Sequence, residues 1–350
     1  MPFPAHPDAD AAVERALAGV RDRAAPLGGA FPDLAGALSR AAQGGKRFRP
    51  ALVCAAFDAF GGEADRRPGL VRVAAAFELL HAAFVVHDDV IDHDTVRRGI
   101  PNVGGEFRLR AAARGVDAAA AAVLGDAAAI LAGDLLLHEA GREIVRADLD
   151  PDLRERVLDI FDEAVYVSAA GELADVENSV GGEWAATDEL LTTAFQKTAV
   201  YSFSAPLRAG AVIAGASIEA LALLDHAAGR LGVAFQLVDD LIGAFGTEEQ
   251  AGREAGVDLR ESKRTPLVAL ARQTDLQPHV DSALALAPTG PIAVREAQRV
   301  LEKSGARARL RTLIDDDLRR ARDIADDPAL PVAAGGILRA IADAVEGRIP

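Results

Sequence analysis

Apolar residues recur along this chain at helical spacing and almost nowhere alternate, so the pattern predicts helix after helix and no sheet. From Asp8 to Ala24 they mark one face of an amphipathic helix, which places residues 1–30 at the periphery of the fold. Phe31-Pro32-Asp33 opens a second helix that stops at Gly44-Gly45, and Arg49-Pro50 opens a third that stops at Gly61-Gly62. Proline is tolerated in a first turn and glycine ends a helix. Pro68 to Val90 is long and apolar; a polar connection follows from His93 to Gly105, then a mobile stretch to Asp117. Ala118 to Ala147 is nearly all Ala, Leu, Ile and Val, too apolar on every side for a surface helix, and is expected at the centre. Asp150-Pro151 reads as a cap followed by a first-turn proline, and Gly181-Gly182 as a break. Thr187 to Gly215 and Ser217 to Ala244 then read as two long helices, and the tail from Pro266 as shorter ones divided by Pro278, Pro288, Pro291 and Pro328. The expectation is an all-α fold, a single domain over residues 1–350 with roughly ten or more helices.

Composition narrows the function. Half of the 350 residues are hydrophobic and only 5% aromatic, which supplies a large core and favours helix. A net charge of −15 argues against nucleic acid or an anionic membrane as the partner of the whole chain. Against that background Lys46-Arg47-Phe48-Arg49, Arg66-Arg67 and Arg97-Arg98 stand out as local basic clusters. Cys54 is the single cysteine, so no intrachain disulfide forms, and it reads as a small buried hydrophobe. The N-terminus lacks a basic and then apolar leader, and no uncharged apolar run reaches membrane-span length; a cytoplasmic protein without a transmembrane segment is expected.

Two aspartate pairs carry the candidate chemistry, Asp88-Asp89-Val90-Ile91-Asp92 and Asp239-Asp240-Leu241-Ile242-Gly243, each toward the end of a long apolar helix. Carboxylates there need water, cations or a metal. Positions i and i+4 put Asp88 and Asp92 on one helix face, with Asp89 about a hundred degrees round. Mg²⁺ takes oxygen ligands and is typically shared between a few carboxylates and substrate phosphates, so the arrangement points to phosphate chemistry. Taken alone, either motif is an ordinary solvated helix end and His81 an ordinary core histidine; the second pair shifts that balance. Asp126 and Asp134 read as structural, and Glu172, Asp175 and Glu177 as solvated.

Gly44-Gly45-Lys46-Arg47-Phe48-Arg49-Pro50, His81 seven positions before Asp88, the first aspartate motif, Arg97-Arg98-Gly99, Gln196-Lys197-Thr198 and Phe235-Gln236-Leu237-Val238-Asp239-Asp240 together resemble the trans-isoprenyl diphosphate synthase (polyprenyl synthetase) family. The resemblance spans most of the chain, and its joint order and spacing are far more specific than any one motif. It implies an all-helical fold around a central cavity, a homodimer, and condensation of isopentenyl diphosphate with an allylic diphosphate. By similarity, Asp88 and Asp92 hold two Mg²⁺ ions on the allylic diphosphate and Asp239 a third, with Asp89 and Asp240 also expected among the metal-site residues. Arg97, Lys197, Arg253 and Lys263 match the residues that grip that group. Lys46, Arg49, His81 and Arg98 match those that hold isopentenyl diphosphate, where a guanidinium fork suits phosphate oxygens. Thr198 and Gln236 match positions lining the reacting centre, and Ala83 and Phe84 those that set product length; the reading favours geranylgeranyl diphosphate, with farnesyl or longer products as the alternatives.

Two departures stand out. The family's second motif commonly ends in a third Asp where this chain has Gly243, and Arg253 stands where a Lys is usual. Adding a carboxylate at position 243 is expected to leave catalysis within about tenfold, as an outer ligand would. A class I terpene cyclase would not need Lys46, Arg49 or Asp239-Asp240; a His-Asp metallohydrolase leaves the basic clusters unexplained; a noncatalytic subunit of a heteromeric synthase should have lost the first motif.

Overall fold

The computed structural model describes residues 6–251 and 255–350. It is helical almost throughout: α1 (Pro7–Ala24), α2 (Phe31–Ala41), α3 (Phe48–Ala59), α4 (Arg67–Ile91), α5 (Val103–Ala112), α6 (Ala118–Val145), α7 (Pro151–Val180), α8 (Thr187–Ala194), a π-helical stretch (Phe195–Ser204), α9 (Ala205–Ile213) and α10 (Ile218–Phe245). There follow α11 (Glu248–Ala251), α12 (Val257–Arg260), α13 (Pro266–Arg272), α14 (Gln277–Leu286), α15 (Pro291–Lys303), α16 (Ala306–Ala325) and α17 (Val332–Glu346). The one sheet among the described residues is a hairpin of two-residue strands, β1 (Val96–Arg97) and β2 (Ile100–Pro101). Its Arg98-Gly99 turn has φ of 54° and 78°, the left-handed pair that matches strand twist in a two-residue hairpin.

The chain divides into two compact units interleaved in sequence, one made of residues up to Phe161 with Ala209–Gly215, the other of Asp162–Arg208 with Ala216–Pro350. In the first, α4 is the central rod. Ala74, Ala75, Ala76, Phe77, Leu79, Leu80 and Ala83 are fully buried, and each such Leu or Phe contributes about 1.5–3 kcal/mol. Phe77 meets Phe161 edge-on with centroids 6.1 Å apart. Small side chains on the facing helix, Ala128, Ala129, Ala132, Gly133 and Ala140, leave room for α4 and α6 to pack closely. In the second unit α10 takes that place, burying Leu224, Leu231, Leu237, Val238 and Leu241. Phe235 meets Phe203 of the π-helical stretch at 5.4 Å.

Three expectations change. The stretch to Asp117 holds a helix, α5, capped by Asn102, whose side chain accepts the Gly105 N–H at 2.8 Å. Thr187 to Gly215 is broken by the π-helical stretch. α6 is only half interior: Val123, Leu124, Ile130 and Leu131 are exposed apolar side chains on one stripe, because its packing partners cover a single face. Three helices, Ala64–Ile91, Ala118–Val145 and Ile218–Phe245, are long and apolar enough by length and composition to cross a membrane. Requiring an uncharged run concealed this. The most apolar window of the first is 78% buried within the fold, which makes its hydrophobicity that of a core helix.

Candidate active site

In the first unit, the continuous apolar run of α4 ends at Val86 and the helix presents its acids at its C-terminal end. Asp92 is the C-cap and its N–H donates to the Asp88 carbonyl at 2.8 Å, so the two carboxylates leave the same face one turn apart. Asp88 is half-buried and Asp92 exposed. Asp89 points inward, is buried, and accepts from Arg97 Nε at 2.7 Å; Arg97 also reaches Asp88 at 3.5 Å. Burial pushes the Asp89 carboxyl up, and the Arg97 guanidinium opposes that shift. Of the three acids of the motif, Asp88 and Asp92 therefore offer oxygen outward, while Asp89 anchors Arg97.

Of the expected isopentenyl diphosphate residues, Arg49 and Arg98 come together around His81. Burial drives its imidazole well below the usual range, and Arg49, Arg97 and Arg98 add their positive fields in that order. At neutral pH His81 is uncharged within a cationic cluster. Arg98 lies against Gly44 and Gly45, 3.8 and 3.7 Å from where their side chains would begin, beside exposed Lys46. Arg47 does different work: it binds Glu78 Oε1 at 3.1 Å and the Ala42 carbonyl at 3.0 Å, which fixes the turn entering α3. Of the length-determining candidates, Ala83 is fully buried and Phe84 half-buried on α4. Cys54 is buried, its thiol pushed up to about 12 mainly by desolvation, as a structural cysteine should be.

In the second unit, Lys197 and Thr198 sit in the π-helical stretch, a geometry that often re-aims side chains at functional sites. Lys197 Nζ donates to Glu172 at 3.1 Å and Asp175 at 2.8 Å. These two acids of α7 are thus partners of Lys197 and not merely solvated. A Cβ at Gly171 would lie 2.4 Å from the Lys197 N, so only glycine permits this approach. Thr198 Oγ1 donates to Gln236 Oε1 at 2.9 Å, and Gln236 Nε2 donates to Asp240 Oδ1 at 3.1 Å. Asp239 is half-buried and paired with Arg348, whose guanidinium stacks 4.4 Å from the Phe235 ring. Nothing in the tail sequence marked Arg348 for this role. Lys263 lies 3.8 Å from Asp258 and 3.5 Å from Glu261. Arg253 falls outside the described residues.

A Cβ at Gly243 would stand 1.7 Å from Asp258 Oδ2 and 2.4 Å from its Cγ, so a side chain at 243 requires the Asp258 carboxylate to swing away.

Asp240 is 7% exposed, and its pKa is pushed up to about 8, first by desolvation and then, against the Gln236 hydrogen bond, by the negative fields of Asp258, Asp239 and Asp175. The native state holds this proton while the unfolded chain releases it near 3.8, so stability in chelator is lost as pH rises from about 4 to about 8. Asp240→Asn cannot ionise. In EDTA it should match the wild type near pH 4 and exceed it by on the order of 1–3 kcal/mol at pH 8, read from denaturant midpoints. Equal midpoints at both pH values would contradict the buried proton.

Residues 32–301 match the family model described as polyprenyl synthetase. The chain belongs to that family. Among its relatives, a geranylgeranyl diphosphate synthase of Sulfolobus acidocaldarius is 34% identical over 227 residues, 64% of this chain and 62% of that protein. The chain thus spans less than two thirds of that relative's length. A short chain isoprenyl diphosphate synthase of Methanothermobacter thermautotrophicus is 28% identical over 281 residues, 80% of this chain and 79% of its own. Among solved structures, a geranylgeranyl pyrophosphate synthase of Corynebacterium glutamicum, complexed with isoprenyl diphosphate and magnesium, superposes with a TM-score of 0.89 at 28% identity, covering 97% of each chain. This polyprenyl synthetase family member therefore carries the isoprenoid synthase fold that its motifs imply, all-α as its helical pattern predicts.

Proposed function

We propose that this chain is a trans-prenyltransferase that condenses isopentenyl diphosphate with an allylic diphosphate and releases diphosphate, with geranylgeranyl diphosphate as product. The observation that carries the reading is the first unit's combination of outward carboxylates, Asp88 and Asp92, with the cluster of Arg49, Arg98 and neutral His81. A site that handles two diphosphates needs both: one group must leave and the other must stay. By the family resemblance, Arg97 and Lys197 match residues that serve the leaving diphosphate, and Lys46, Arg49 and Arg98 match those that neutralise the one retained. His81, uncharged, donates a hydrogen bond without repelling its arginine neighbours. Thr198 spends its proton on Gln236, so its oxygen offers lone pairs where positive charge builds on the allylic carbon.

The donor set fits Mg²⁺. Asp88, Asp92 and Asp239 offer only hard oxygen, and Asp239 already attracts a cation in Arg348. Among the described residues no three His, Cys, Asp or Glu side chains are gathered into a ligand cage, which suits an ion shared with substrate phosphates. When bound, Mg²⁺ supplies the charge that neutralises the leaving diphosphate. Incubation with Mg²⁺, isopentenyl diphosphate and each of dimethylallyl, geranyl and farnesyl diphosphate tests the function. Twenty-carbon product is expected, and no elongation from any primer would defeat the reading.

The working unit is a homodimer in the cytoplasm, and the exposed stripe on α6 is where a second copy sits. Val123, Leu124, Ile130 and Leu131 form an apolar band in a chain of net charge −15, and covering it removes that area from water. Leu131→Glu together with Val123→Glu should shift light-scattering mass from dimer to monomer. A wild type that is monomeric at micromolar concentration would rule the interface out.

A further inference from the structure

Trp184, the only tryptophan of the chain, stands in the connection between α7 and α8, and two arginines of the same unit gather on its ring. Arg272 Cζ lies 4.1 Å from the ring centre and Arg264 Cζ 4.9 Å from it. Indole is the aromatic face that draws a guanidinium most strongly. Two like charges on one ring repel, and the Arg272 guanidinium is held below its usual range by desolvation first and then by the Arg264 charge. Other contacts hold the pair in place: Arg272 pairs with Asp281, and Arg264 Nη1 donates to the Glu183 carbonyl at 2.9 Å. The end of α13 is tied to the start of α8 as well, where Gln273 Nε2 donates to Thr187 Oγ1 at 2.8 Å.

Arg264 directly follows Lys263, in a segment with little freedom of its own. Ser262 has φ 58°, a left-handed conformation that costs a non-glycine residue and persists only where its surroundings enforce it. On one side the Ser262 N–H donates to the Leu259 carbonyl at 3.2 Å and the Lys263 N–H to the Asp258 carbonyl at 2.9 Å. On the other side the constraint is Arg264, bound to a carbonyl and a ring of the α7–α8 connection. α7 itself carries Glu172 and Asp175, the partners of Lys197. One helix and the turn after it thus station both of the lysines matched to the allylic diphosphate.

We infer that Trp184 is a positioning residue for the allylic diphosphate, acting through Arg264 to fix the backbone from which Lys263 reaches that group. This rests on the proposed prenyltransferase reading, in which Lys263 serves the allylic substrate. Without the indole, Arg264 loses the face that stations it and Ser262 is free to leave its left-handed conformation. Lys263 Nζ, already 3.5 Å from Glu261 Oε2, then stays with that carboxylate in place of the substrate. Isopentenyl diphosphate, held in the same reading by residues of the first unit, should not register the change.

The test is steady-state kinetics on the full chain with each substrate varied in turn, thermal midpoints alongside, and a double-mutant cycle with Lys263→Ala. Trp184→Ala should raise KM for the allylic diphosphate by about 10–100-fold, the scale of a group misplaced by about an ångström, with KM for isopentenyl diphosphate within about threefold of wild type. Trp184→Phe keeps an aromatic face and should recover most of the loss. In the Lys263→Ala background, Trp184→Ala should raise the allylic KM by less than about threefold, because the residue it acts through is gone. Arg264→Gln keeps a donor for the Glu183 carbonyl but removes the charge from the ring, and it should show the same selective loss even if Trp184→Ala does not fold. A Trp184→Ala variant changed only in its thermal midpoint would overturn the inference and leave the function standing. Equal effects of Trp184→Ala with and without Lys263, or wild-type KM values in Arg264→Gln, would do the same. A wild type that elongates no allylic primer would overturn the function reading and this inference together.

Discussion

Alanine at Asp88 or at Asp92 is expected to lower kcat/KM for prenyl transfer by roughly 10³-fold or more, the scale of losing a key charge stabiliser, about 4 kcal/mol of transition-state energy. One turn separates the two carboxylates on the same face of α4, and both are more exposed than Asp89, which is buried against Arg97. Removing either should therefore cost function more than packing. EDTA should abolish turnover outright, and excess Mg²⁺ should restore the wild type but not Asp88→Ala. Asp89→Ala is the informative companion, because its carboxylate is buried against Arg97 Nε. Its loss should lower the thermal midpoint as well as the rate, since a charged guanidinium is left beside an unfilled site. Full turnover in EDTA would sink the metal assignment, and an Asp88→Ala variant within tenfold of wild type would sink the role of this motif.

Much of this was legible in the chain. The helical period, first-turn prolines and glycine stops located α1 to α4, α7 and α10 to within a few residues, because those signals are local and each has its own physical cause. The π-helical stretch was not legible, since it adds a residue to the helical repeat without changing composition; Gln196-Lys197-Thr198 looked like ordinary helix. The position of α6 was misjudged for a related reason. Periodicity cannot tell an all-apolar helix buried on every side from one, like α6, that packs on a single face and leaves Val123, Leu124, Ile130 and Leu131 exposed. At the site, residues on α4 and its neighbouring turns could be placed from spacing alone. The partners that set their chemistry were long-range: Glu172 and Asp175 for Lys197, Arg348 for Asp239, and Asp258 for Gly243. Each is a pairing across 15 to 109 positions, which no local pattern encodes.

Those long-range partners sharpen the separation of the two substrates. Lys197→Ala should raise KM for the allylic diphosphate and lower the corresponding kcat/KM by roughly 10²-fold, with KM for isopentenyl diphosphate within about threefold of wild type. Two effects act together: a phosphate donor is lost, and Glu172 and Asp175 lose the cation between them, so their negative field reaches an anionic substrate. Lys197→Arg keeps the charge and should recover part of the loss; it distinguishes field from fold. Arg49→Ala should do the converse, raising KM for isopentenyl diphosphate by roughly tenfold or more while sparing the allylic substrate. It also removes the largest cationic influence on His81, so the imidazole should titrate closer to its ordinary range, though still held down by burial. The direction follows from sign: a nearby positive charge disfavours imidazolium, and deleting it raises the pKa. Steady-state kinetics with each substrate varied at saturation of the other, together with the histidine NMR titration, read both halves of the argument. Equal KM changes for both substrates in both variants would mean that Lys197 and Arg49 do not serve separate diphosphates.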